Sequence, residues 1–161
     1  FLCTVAPYYH AGQSVKRTFS EFVGGQNSRS EFVQSTNPKI ALNIDRETED
    51  FYNQSIEFIQ NNSDSNATIF AYPFNPELYF LTERQNVIND VSTLPVNSQE
   101  ELDNLISKIQ SDRPDLIIHS TGDKYNNEFT KTLSAQISDD YSLVKKLDYQ
   151  LAIFEFYKKQ N

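Results

Sequence analysis

The sequence has no methionine, one cysteine and four glycines in 161 residues. A chain that opens on Phe1 and carries no methionine is expected to be a processed or excised piece of a longer protein. Cys3 alone closes no disulfide within the chain, so the thiol count leaves the redox compartment open. None of the glycines falls into a phosphate-cradling pattern, which excludes the dinucleotide fingerprint and the P-loop as routes to nucleotide binding. No apolar run approaches the ~20 residues that span a bilayer, and "FLCTVAPYY" is too short, and lacks the charged start, for a signal peptide. Lys and Arg form no cluster interleaved with aromatics, and the net charge is -8, which argues against nucleic acid and against an anionic membrane face as partners. His10 and His119 lie far apart, with no Cys or carboxylate at ligand spacing, so no metal site is expected, and no cofactor within this stretch.

What is present is enough for a core: 38% of residues are hydrophobic and 13% aromatic, the composition of one folded domain. Residues 1–44 mix Pro7, Gly12 and Gly24-Gly25 with small apolar groups and read as an irregular lead-in, ending in "NPKIALNID", where Ile40, Leu42 and Ile44 alternate as in a short strand or arm. From Asp45 the signals become ordered, so that residues 45–161 read as a single α/β domain. Asp45 can cap a helix whose stripe is Tyr52, Ile56 and Ile59. "ATIFAY" is a strand apolar on both faces, and "NPELYFLTE" a short helix with Asn75 as cap, Pro76 at its first position and Leu78 and Leu81 packing. "NVINDV" is a weak strand. Ser98 and Glu101 form a capping box ahead of Leu102, Leu105, Ile106 and Ile109, and Pro114 ends that helix. "DLIIHST" reads as a parallel strand sheathed by helices, and Phe129, Leu133 and Ile137 mark another helix. "YSLVKKLDYQLAIFEFYKK" reads as an antiparallel hairpin turning at Leu147 to Gln150. The expected architecture is a three-layer sandwich with a mainly parallel central sheet ending in that hairpin.

Ligands of open α/β sheets bind outside the carboxyl ends of the strands. Two segments leave strands at that edge: "YPFNPELY", with Tyr72, Asn75 and Tyr79, and "HSTGDK", with His119, Ser120 and Asp123. With Arg84, whose guanidinium suits a phosphate or carboxylate, these are the candidate ligand-binding residues. Each has a plainer reading. Aromatics at a strand-to-helix corner commonly cap the core, His119 can simply end its strand, and "STGD" is a Gly-containing turn. Ser120 beside His119 is not a triad, because nucleophile geometry must come from the fold and no nucleophile elbow is present. No catalytic residue is assigned. The sequons at Asn53, Asn61 and Asn66 are expected by chance in so Asn/Ser-rich a chain.

The order of these pieces, and the stretches "NATIFAYPFNPELYFLTERQN", "SQEELDNLISKIQSDRPDLIIHS" and "YSLVKKLDYQLAIFEFYKK", resemble the C-terminal soluble domain of bacterial polytopic C-type glycosyltransferases, the dolichyl-phosphate-mannose protein mannosyltransferase-like and aminoarabinose-transferase-like proteins. Many members carry a strand ending in a Pro-containing turn, then a Tyr-Phe-Leu-Thr run, a small residue and Arg. Tyr79, Phe80, Leu81, Thr82 and Arg84 match, while Glu83 stands where a small residue is usual. The similarity spans residues 45 to 159. It implies a lipid-phosphate-linked sugar donor, an extracytoplasmic location at the cell membrane, the membrane-embedded domain of the same polypeptide as partner, and catalysis by acids of a loop near the parent enzyme's start, outside this chain. The expected function is thus that of an accessory domain, inactive alone, which covers the active site or helps select a glycan or other acceptor. The rivals are a free-standing secreted glycan- or peptide-binding module and, more remotely, a small hydrolase using Ser120 and His119.

Overall fold

The computed structural model describes residues 31–88, 96–122, 125–137 and 139–160. The chain divides into two compact units, Phe1–Ser30 and Glu31–Asn161, and every described residue lies in the second.

The unit is α/β. A hairpin of β1 (Phe32–Gln34) and β2 (Asn43–Asp45) leads into α1 (Arg46–Asn62), β3 (Thr68–Tyr72), α2 (Pro76–Thr82), β4 (Gln85–Asn86), α3 (Gln99–Asp112), β5 (Leu116–Thr121), α4 (Glu128–Ile137), β6 (Tyr141–Tyr149) and β7 (Ala152–Lys159). Five strands form a mixed sheet in the order β4-β3-β5-β7-β6, with β4, β3 and β5 parallel and β7 and β6 antiparallel.

Local chemistry sets the helix boundaries. The Asp45 carboxylate accepts from Thr48 N at 2.9 Å, and Glu47 and Glu49 lie in the first turn, where the helix dipole favours them. Ser98 Oγ accepts from Glu101 N at 3.2 Å, and the Glu101 carboxylate accepts from Asn97 N at 2.8 Å, so the returning half of the capping box falls one residue early. Arg113 closes α3 in the left-handed region (φ 45°) before Pro114. Asn127 Oδ1 and Thr130 Oγ1 exchange bonds with each other's backbone N–H at the start of α4 (3.1 and 2.9 Å).

Strand alternation sends each strand's side chains to two separate cores. Ile69, Ala71, Leu116, Ile118, Phe154 and Phe156 pack with Phe51 and Ile59 of α1 and Leu78 of α2. Phe70, Tyr72 and Ile117 pack with Leu102 and Ile109 of α3 and Leu133 and Ile137 of α4. Each fully buried aliphatic or aromatic side chain contributes about 1.5–3 kcal/mol, which is why β3 and β5 read as continuous apolar runs rather than alternating ones.

Three elements depart from the sequence expectation. The strand expected in "NVINDV" is only Gln85–Asn86, polar because it is a short edge; Val87 follows, buried, with its N–H on Ile69 O at 3.2 Å, and residues 89–95 lie outside those described. The hairpin turns at Gln150 (φ 56°) and Leu151, beyond the expected Leu147 to Gln150, because Leu147 and Tyr149 are still needed as strand residues against the first core. Gly122 (φ 81°) lets the end of β5 approach this tip, where an added Cβ would lie 2.8 Å from Leu151 O. Residues 32–44, read as the end of an irregular lead-in closing in a short strand or arm, form with Asp45 a paired hairpin in which Ile40 belongs to the turn. That hairpin is tied to α1 by Glu49, whose Oε1 accepts from Thr36 N (2.7 Å), Thr36 Oγ1 (2.6 Å) and Asn53 Nδ2 (3.1 Å).

Tyr79 solves a problem that the short β4 creates. Its hydroxyl accepts from Ala71 N at 2.8 Å and donates to Ala71 O at 3.3 Å, satisfying both backbone groups beyond the last β3–β4 pair.

Tyr79→Phe keeps the ring but orphans Ala71 and should cost about 1–3 kcal/mol. Phe80→Ala, which cuts a ring 64% exposed, should stay within about 0.5 kcal/mol. Equal shifts in the urea midpoint would mean that the Tyr79 hydroxyl contributes nothing. Burial alone would raise the Glu49 carboxyl, but the bonds from Thr36, Ser35 and Asn53 hold it down at about 2. Its stabilisation is therefore complete above the ordinary carboxylate value of 4.5 and lost as pH falls from there towards 2. Urea unfolding across that range should show a steeper loss for the native chain than for Glu49→Gln, and parallel curves would contradict the assignment.

Candidate functional site

β3 and β5 are neighbours and parallel, with Tyr72 in register with His119 at their carboxyl ends. The chain leaving β3 enters α2 on one face of the sheet, and the chain leaving β5 enters α4 on the other. Adjacent strands whose connections part in this way define the topological switch point, where such sheets commonly hold a ligand.

The structure brings four of the seven candidate residues together there, namely Tyr72, Asn75, His119 and Ser120. Because His119 and Ser120 are consecutive in a strand, their side chains lie on opposite faces. Ser120 is fully buried on the α2 side, where Asn75 Nδ2 donates to its Oγ at 3.3 Å and approaches Tyr72 O at 3.5 Å. Asn75 occupies the N-cap position but makes no side-chain cap bond, contrary to the sequence expectation. Its amide is drawn inward, 3% exposed, to pair a buried hydroxyl.

His119 lies on the α4 side. Its ring stacks on Tyr72 (4.5 Å between centroids, 6° between planes), which stacks in turn on Phe70 (5.1 Å, 11°). Asn126 Nδ2 donates to Ser120 O at 2.7 Å, which aims Asn126 Oδ1 at His119 Nε2 (3.2 Å). Nε2 therefore carries the proton, and Nδ1 lies 3.1 Å from Ser134 Oγ, which also donates to Thr130 O at 3.0 Å and receives the Tyr72 hydroxyl at 2.8 Å, so Nδ1 and Thr130 O share one hydroxyl hydrogen. Burial lowers the His119 pKa, against the raising effects of Asn126 and Glu155, and keeps the ring neutral. Among the described residues, the carboxylate that meets this ring is that of Glu155, whose Oε2 is 3.8 Å from Nδ1. Burial would raise the Glu155 carboxyl, but Lys146 (2.6 Å) and the Tyr157 hydroxyl (2.8 Å) hold it below its ordinary range.

Tyr79 and Arg84 serve elsewhere. Tyr79 supports Ala71, and burial raises its hydroxyl pKa. Arg84 donates from Nε and Nη2 to Ser63 Oγ and O (3.0 and 2.9 Å) and from Nη1 to Thr82 O (2.8 Å), joining the ends of α1 and α2 at the opposite edge of the sheet. Asp123 lies outside the described residues, as do Lys124, His10 and Cys3. Sequence reasoning missed Ser134, Glu155 and Asn126. Thr130 and Ser134 form a polar row at i, i+4 beside the apolar stripe of α4, and Glu155 stands between Ile153 and Tyr157 on the face of β7 opposite Phe154 and Phe156; both signals were legible, whereas Asn126 offered none.

The cluster provides hydrogen bonds rather than a reactive centre. A serine nucleophile needs a base within reach, yet His119 is on the far face of the strand and Ser120 is shielded from solvent. Among the described residues no group of three or more His, Cys, Asp or Glu side chains could hold a metal ion, and no helix is long and apolar enough to cross a membrane.

Asn75→Ala should lower stability by about 1–3 kcal/mol, the cost of leaving Ser120 without its buried partner, and Ser120→Ala in the same background should recover part of it. Full additivity of the two substitutions would show that they do not interact. The lowered His119 pKa means that folding favours the neutral ring, so stability is complete above the ordinary value of 6.5 and declines as pH falls below it. His119→Gln should flatten that decline in urea unfolding, and an unchanged slope would place the titration elsewhere.

No family model, no curated protein and no solved structure matches the chain.

Proposed function

We propose that this chain is the extracytoplasmic accessory domain of an integral-membrane glycosyltransferase that uses a lipid-phosphate-linked sugar, inactive alone, and that it covers the membrane-embedded active site or assists acceptor selection. The observation that carries the non-catalytic part is the filled switch point: Asn75 meets Ser120 on one face, and Tyr72, Ser134 and Asn126 meet His119 on the other. The glycosyltransferase part rests on the resemblance of residues 45 to 159. The matching run agrees with a scaffold role. The Tyr79 hydroxyl serves Ala71, Thr82 Oγ1 donates to Leu78 O at 2.6 Å, and Arg84 joins two helix ends. Glu83, where the resembling family more usually has a small residue, sits in the left-handed region (φ 57°), the conformation that favours glycine. The finer architecture we propose is the three-layer α/β sandwich, with α1 and α2 packed on one face of the sheet and α3 and α4 on the other.

A second reading, a free-standing secreted glycan- or peptide-binding module, is favoured by one feature. Phe74 is 38% exposed at the strand-end edge, where its ring meets Tyr125 at 5.3 Å. In both readings the chain has no turnover of its own.

Residues 1–161, supplied with a polyprenyl-phosphate-linked sugar and a glycan or peptide acceptor, should show no transfer above background. Sugar transfer by this chain alone would overturn the proposal. In the full-length parent, Phe74→Ala and Phe80→Ala should alter the KM for acceptor while leaving folding intact, if the exposed aromatics face it. Unchanged kinetics in both variants would remove these rings from the acceptor path.

A further inference from the structure

We draw no further inference here: the strongest candidate, the exposed apolar side chains Leu143, Val144, Leu151 and Ile153 along the β6–β7 hairpin, is an unpartnered face for which nothing in the structure shows what covers it.

Discussion

The parallel pairing of β3 with β5 is the constraint on which the rest depends. Its register, from Ile69 opposite Leu116 to Tyr72 opposite His119, decides at once which side chains enter each of the two cores and which polar groups meet at the carboxyl ends. A slip of one residue would exchange every inward side chain between faces. Ser120 would then lie beside α4 and His119 beside α2, and neither would find its partner. The hydrogen bonds at the strand ends therefore reinforce the same register that the apolar packing selects.

A polar cluster in that position has a cost. Amide, hydroxyl and imidazole groups taken out of water must be paired, or each costs about 1–3 kcal/mol. Here the pairing is nearly self-contained: the Asn126 amide fixes the His119 tautomer, Ser134 joins the imidazole to the Tyr72 hydroxyl, and Asn75 serves Ser120. A crevice satisfied by its own side chains offers a ligand little that is not already engaged. It also fastens α2 and α4 to the sheet by polar bonds in addition to their apolar stripes.

Much of this was legible in the sequence where a single physical rule dominates. Asp45 and Ser98 cap their helices as their side chains predict, and the apolar runs through Phe70 and Ile117 are strands buried on both faces. The meeting of the two strand-end loops followed from parallel topology alone. Legibility failed where tertiary demands override local signals. Asn75 looks like a cap, yet a buried hydroxyl across the sheet claims its amide. Arg84 looks available, yet three backbone and side-chain oxygens surround it. The hairpin turns at Gln150 and Leu151, a pair with no glycine or asparagine to announce it, because the core on the α1 side still needs Tyr149.

The strand-end cluster holds together only with His119 as a neutral, buried, internally bonded ring. Long-range proton–nitrogen correlation spectra of the imidazole near neutral pH read this directly. The expected spectrum is that of a neutral ring protonated on Nε2, with an N–H that exchanges slowly with solvent, as its bond to Asn126 and its burial require. A charged ring, the Nδ1-protonated tautomer, or an N–H lost to rapid exchange would contradict it and would reopen the switch point as a site for a ligand.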